Sequence, residues 1–253
     1  MSGELDLGIL QLGLLVIAGV VGGFINTLAG GGSLLTIPAL LFLGVPAQIA
    51  NGTNRVGILL QTAVSSWRFH KRGAIDSRHA VGVLIPGLIG AILGALIAVE
   101  LPPEVFDYAL GMVLILVLVT LFIPRSFLEK VSTRAMPGWL RTVLFFAIGV
   151  YGGFIQAGVG FLLISGIVVT LGLDLVKTNA LKVLLIFFQT IVALIIFSLY
   201  GSVIWIAGLL LAVGTTTGAW LGVHFAVTRG AKAVRWIVVI AAVVSAFRLF
   251  GVI

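Results

Sequence analysis

The sequence predicts an all-α integral membrane protein of two inverted repeats. Each repeat holds about five membrane-embedded helical segments, some of them broken by glycine or re-entrant. Three observations predict it. Of 253 residues, 60% are hydrophobic and 9% charged, with a mean hydropathy of +1.28, whereas a soluble domain carries charge on roughly a quarter of its residues. One apolar passage is written twice: Gly19-Val20-Val21-Gly22-Gly23-Phe24-Ile25-Asn26 returns as Gly149-Val150-Tyr151-Gly152-Gly153-Phe154-Ile155-Gln156. The basic residues gather in three connections, in an order that turns one copy over relative to the other.

The duplication sets the domain organisation. Gly19 and Gly149 lie 130 residues apart. Past the Gly30-Gly31-Gly32-Ser33 stretch the spacing is 128, pairing Gly44 with Gly172, Asn51 with Asn179, Asn54 with Lys182, Gln61-Thr62 with Gln189-Thr190 and Gly73 with Gly201. One two-residue insertion explains the alignment, and a register that also matches Asn, Gln and Thr argues against chance. Residues 1–123 therefore form the first membrane repeat, 124–138, with Pro124 and Pro137, a cytoplasmic linker, and 139–253 the second, inverted repeat.

Apolar runs fall near residues 8–28, 33–44, 49–67, 80–99, 105–123, 139–159, 161–172, 178–199, 203–227 and 233–253. Most reach the ~20 residues that cross ~30 Å of hydrocarbon as a helix. The two near 33–44 and 161–172 are too short, and each is second in its copy, after a glycine cluster. Gly30, Gly31, Gly32 and Pro38 in one copy, and Gly158 and Gly160 in the other, break helices at a depth where lipid satisfies no backbone amide. A half-helix turning back inside the membrane meets that demand. The first run is expected to stay in the protein, because Glu4 and Asp6 precede it where a cleaved signal would carry basic residues.

The net charge is +7, which by itself would suit nucleic acid, but its placement suits a bilayer. Arg68, Lys71, Arg72 and Arg78 share one connection, Arg125, Lys130, Arg134 and Arg141 the linker region, and Arg229, Lys232 and Arg235 a third. The positive-inside rule assigns all three to the cytoplasm. The acidic connection of Glu100, Glu104 and Asp107, the uncharged Tyr200-Gly201-Ser202 and the amino terminus then face out. Matched connections of the two copies fall on opposite sides, so the copies are inverted, with an odd number of crossings in each: five if the short segment spans, three if it pairs with the first segment as a re-entrant hairpin.

A polar stripe marks the third segment of each copy. Asn51, Asn54, Arg55, Ile58, Gln61, Thr62 and Ser65 recur at steps of three and four, as do Asn179, Lys182, Ile186, Gln189 and Thr190. An ionisable group at the bilayer centre costs at least ~2.5 kcal/mol and usually marks a pathway or site. Snorkelling to the headgroups and helix-to-helix amide bonding are the bland alternatives. Arg55 and Lys182 are the sharpest candidates. Amides and hydroxyls of Asn26, Gly31, Gly32 and Ser33 in one broken segment, and of Gln156, Gly158 and Gly160 in the other, are expected to converge with Asn51, Asn54, Arg55, Gln61, Asn179, Lys182 and Gln189 on a small anionic substrate.

Exclusions follow from what the stripes lack. The eight acidic residues fall at segment ends or connections, which disfavours a carboxylate proton relay or metal-cation carrier. The chain has no cysteine, so disulfides and thiolate chemistry are out. Ser33 has no His and Asp partners for nucleophilic work. No enzyme activity, cofactor, metal or nucleic-acid partner is expected.

The residues Gly22-Gly23-Phe24-Ile25-Asn26-Thr27-Leu28-Ala29-Gly30-Gly31-Gly32-Ser33, then Ile37-Pro38 and Ala50-Asn51-Gly52-Thr53-Asn54-Arg55, resemble the first motif of the TauE/SafE family of sulfite and organosulfonate exporters. Gly152-Gly153-Phe154-Ile155-Gln156-Ala157-Gly158-Val159-Gly160 with Lys177-Thr178-Asn179-Ala180-Leu181-Lys182 is similar to its second. The resemblance implies a secondary transporter of the cell inner membrane that exports sulfite or an organosulfonate such as sulfoacetate by alternating access. A passive anion channel, or a non-transporting membrane assembly factor, would use the same stripes differently.

Overall fold

The computed structural model describes residues 9–74, 77–122 and 136–228, and among them it is helical without a strand. The helices are α1 (Ile9–Ala29), α2 (Ser33–Phe42), α3 (Ala47–Lys71), α4 (Ser77–Glu100), α5 (Pro103–Phe122), α6 (Gly138–Phe154), α7 (Val159–Leu171), α8 (Leu175–Leu199) and α9 (Trp205–Thr228). The run expected at 233–253, the basic connection at 229–235, the amino-terminal acids and nearly all of the linker lie outside the described residues. Gly138, assigned to the linker by sequence, already belongs to α6.

Local chemistry sets the boundaries. Pro46 and Pro137 precede α3 and α6 in extended conformation, where a missing N–H costs nothing. Asp174 caps α8, its carboxylate accepting from the backbone N–H groups of Val176 and Lys177 at 3.0 Å each. Gly30, Gly44 and Gly73 have φ of 85°, 80° and 64°, and Gly158, Gly172 and Gly201, each 128 residues further on, have φ of 74°, 62° and 68°. Left-handed backbone of this kind stops a helix at no steric expense only for glycine. The paired glycines thus share one backbone conformation, and the 128 spacing already holds at Gly30. The two-residue difference lies upstream of the glycine cluster rather than beyond it. It arises because α1 stays helical to Ala29, whereas α6 stops at Phe154 and Ile155 is extended.

Both short helices fold back. Gly32 lies against Gly22 and Asn26, and Thr36 against Gly22, so α2 returns along α1. Val159 lies against Gly152, and Gly166 against Ile148 and Phe145, so α7 returns along α6. With ten residues, α2 spans roughly 15 Å, half a hydrocarbon core. The tips of the two hairpins meet, Gly30 packing directly on Gly160 with no room for a side chain on either.

The fourth helix of each copy is exchanged. α9 runs parallel to α1, with Gly19 on Gly214, Gly23 on Thr215 and Gly218 on Val20 and Phe24. It also lies along α3, where Gly208 meets Val56. In the same way α4 runs parallel to α6, with Gly90 on Phe146 and Val150 and Gly94 on Phe154, and lies along α8. Close backbone approach through glycine is how membrane helices gain dispersion contact without a hydrophobic drive. Between the two groups α3 crosses α8 in the opposite sense: Gly52 touches Phe197, while Phe69 at the far end of α3 clusters with Ala180 and Val183.

The polarity of the molecule is inside out for water. Arg55 and Lys182 are fully buried while Ile206 is 74% exposed. Ile17, Val81, Ile85, Ile89, Met112, Leu116, Leu209 and Val213 also face outward, an apolar belt far larger than soluble surfaces carry. Ala80–Glu100, Val176–Leu199 and Trp205–His224 are long and apolar enough to cross a bilayer.

Candidate functional site

The helical period of α3 turns Asn51, Asn54, Arg55, Gln61, Thr62 and Ser65 inward, all of them fully buried. On α8, Lys182 and Thr190 are fully buried and Gln189 is nearly so. Snorkelling is thereby excluded for both cations. What they meet differs from the expectation of an anion ligated by cations.

Arg55 donates from Nη1 to the Gly152 carbonyl at 3.2 Å and from Nη2 to the Gly153 carbonyl at 2.5 Å. Asn51, one turn earlier, donates to the Phe154 carbonyl at 2.9 Å. The last three carbonyls of α6, which have no intrahelical partner, are thus all covered from α3. The guanidinium also sits 4.7 Å from the Phe197 ring centroid, a cation–π contact. Lys182 performs the same task for α1. Its Nζ donates to the Asn26 and Thr27 carbonyls at 3.1 and 3.3 Å and to Asn179 Oδ1 at 2.9 Å. Each cation therefore rests on the negative end of the broken helix of the other copy, where the aligned peptide dipoles amount to roughly half an electron. The two cations do not face one another. Arg55 lies at Phe197, fifteen residues beyond Lys182 on α8, a rise of roughly 22 Å.

The amide groups form a second layer. Asn26 donates from Nδ2 to Gln61 Oε1 at 3.1 Å, and its Oδ1 accepts from the Gly32 N–H at 3.3 Å, closing the first hairpin. Asn54 bonds Ser33 Oγ at 3.2 Å and accepts from Thr36 at 2.6 Å. In the second hairpin Gln156 donates to Thr190 Oγ1 at 2.5 Å, Gln189 lies beside Gly152 and Gly87, and the Tyr151 hydroxyl donates to the Ala157 carbonyl. Four amide atoms remain buried without a partner: Gln61 Nε2, Gln189 Nε2, Gln156 Oε1 and Asn51 Oδ1. Arg55 Nε, the Ser65 and Ser66 hydroxyls and Arg141 Nε join them. Unpaired polar groups inside a membrane are expensive, and they concentrate on the two stripes.

The structure thus brings Asn26, Gly32, Ser33, Asn54 and Gln61 together at one hairpin, with Lys182 and Asn179 on its back. It brings Gln156, Gln189, Arg55 and Asn51 together at the other. Gly158 supplies the left-handed cap of α7, Gly31 packs on the Phe161 ring, and Gly160 fills the tip contact. Thr36, Thr190 and Phe197 are the participants sequence reasoning missed or left unassigned. Thr36 could have been found as a polar residue three positions after Ser33 in an apolar run. Phe197 could not, since it meets Arg55 only through the antiparallel crossing. Among the described residues no three His, Asp or Glu side chains gather as a metal would need.

A helical bundle with an apolar belt, a buried polar centre and two glycine-broken hairpins is the architecture of a membrane transporter. The family follows from comparison: a model of the sulfite exporter TauE/SafE family matches residues 15–249, and the chain belongs to that family of membrane transporters. It is 31% identical to a "Probable membrane transporter protein" of Sinorhizobium over 97% of this chain and 95% of that one. It is 31% identical to one of Haemophilus influenzae over 93% of each chain. With the Escherichia coli K12 protein YfcA, described in the same words, it shares 29% identity over 95% of this chain and 90% of that one. No solved structure matches it.

Proposed function

We propose that the protein exports a small oxyanion, sulfite or an organosulfonate such as sulfoacetate, by alternating access between two inverted copies of one fold. The observation that carries this reading is the pair of buried, unpaired amide donors, Gln61 Nε2 and Gln189 Nε2, each beside the tip of a broken hairpin. An acceptor-only ligand satisfies them, and an oxyanion is such a ligand. Two full positive charges set against two helix ends of about half a charge each leave the centre positive, which favours an anion over a neutral solute. The antiparallel course of α3 and α8, which are matched segments of the two copies, supports the inversion, and so does the exchange of α4 and α9. The basic connections place the amino terminus outside the inner membrane in this reading.

The test is uptake of labelled sulfite into proteoliposomes, together with a thermal-shift screen of purified protein against sulfite, sulfate, thiosulfate, short sulfonates and carboxylates. Saturable uptake with stabilisation by sulfite or a sulfonate is expected. Stabilisation by a carboxylate alone would replace the substrate, and ion currents far above carrier turnover would replace the carrier with a channel.

A further inference from the structure

We infer that Arg55 and Lys182 are positioning residues that latch the two hairpin tips across the molecule, and that the substrate is met by Gln61 and Gln189 instead. This rests on the transport reading above and divides the labour within that site.

Packing sorts the helices into two bodies that do not coincide with the two sequence copies. α1, α2, α3 and α9 group as one and α4, α6, α7 and α8 as the other, with α5 against α3, and the two are joined where α8 packs on α3 as extensively as on α4. Arg55 stands in the first body and its carbonyl partners Gly152 and Gly153 in the second. Lys182 stands in the second and its partners Asn26 and Thr27 in the first. Every carbonyl bond made by the two cations therefore crosses between bodies.

Donor counting removes Lys182 from direct contact with a ligand. An ammonium has three N–H groups, and Lys182 gives all three, to Asn26, Thr27 and Asn179. Arg55 spends one N–H of each terminal nitrogen on a carbonyl and stacks one guanidinium face on Phe197, so it is anchored to the opposite hairpin although its Nε–H has no partner. Gln61 and Gln189 keep unspent N–H groups. They are matched residues of the two copies, on helices that run in opposite directions. A ligand between the bodies can be handed from one amide to the other, while the latches decide which hairpin tip is held shut.

The absence of cysteine makes a substrate-free test direct. Gln61→Cys is introduced alone and together with Arg55→Gln or Lys182→Gln, and its labelling by a water-soluble maleimide is timed in membranes. Loss of a latch should speed labelling about tenfold or more, and Arg55→Lys, which keeps a charge on the carbonyls, should restore the slow rate. Labelling at an unchanged rate in both latch variants would overturn the latch. In sulfite uptake, Arg55→Gln should lower the maximal rate at least tenfold with KM within threefold, whereas Gln61→Ala and Gln189→Ala should raise KM about tenfold. The reverse split would make Arg55 a ligand. Should sulfite fail to be carried at all, the maleimide arm still decides the latch, so the two readings fall separately.

Discussion

The two hairpins solve one problem by different means. In the first, α1 runs to Ala29 and its last turn is held by Lys182; in the second, α6 ends five residues sooner by alignment and Arg55 holds it. The matched carbonyls of Gly152 and Gly153 are those of Gly22 and Gly23, yet Lys182 takes Asn26 and Thr27, one turn further on. The cation has followed the helix end rather than the sequence match. Lys182 itself aligns with Asn54, not with Arg55. What recurs is a physical relation, a positive group on the last carbonyl turn of a broken helix, and the residues that supply it have drifted by a position.

The largest effect should come from the point where the hairpins are alike. Gly160→Val forces a side chain into the backbone of Gly30, and overpacking without an escape costs on the order of 4 kcal/mol or more. The variant should fail to give monodisperse protein by size-exclusion chromatography, and a normal elution profile would mean the tips separate easily.

Arg55→Gln and Lys182→Gln come next. Each removes charge-assisted bonds of ~1.5–3 kcal/mol apiece and should lower the maximal transport rate at least tenfold while the protein stays in the membrane. Arg55, with Asn51 beside it and Phe197 under it, should cost more melting temperature than Lys182; equal losses would erase the distinction between the hairpins.

Thr36→Val tests a bond that the first hairpin has and the second replaces. It leaves Asn54 Oδ1 unpaired in the interior and should destabilise by ~1–3 kcal/mol, measured as midpoint shift in thermal denaturation. The smallest effect belongs to Asp174, whose carboxyl is held below its usual range chiefly by the Lys177 backbone N–H, with Val176 adding to it. A depressed folded pKa means that its stabilisation is present above the unfolded value of about 4 and is lost as pH falls through the folded one. Asp174→Ala should cost ~1 kcal/mol at neutral pH, less the share that exposure to solvent removes. Asp174→Asn should flatten the acid limb of the melting curve.

Much of this was legible before any coordinates. The pairing of Gly44 and Gly73 with Gly172 and Gly201 was legible, and these positions share left-handed backbone that glycine allows, whereas the match of Gly30 with Gly158 emerged only from the backbone. The stripes on α3 and α8 announced the polar interior, because a period of 3.6 collects Asn51, Arg55, Gln61 and Ser65 on one side. The partners of those stripes were not legible. Arg55 and Lys182 read as ligands for a guest, since their acceptors are backbone carbonyls that every residue owns and no letter reveals.

Composition and periodicity therefore determined that this chain lives in lipid, carries matched glycines 128 residues apart, and hides its amides and two cations inside. Those properties are local, set by hydropathy along the chain and by the geometry of one helix. The exchange of α4 and α9, the antiparallel crossing of α3 and α8 and the seating of each cation on the opposite hairpin were decided only by tertiary packing. They depend on which glycine faces approach which backbone across a hundred residues or more, and that is a property of fitted surfaces rather than of spacing.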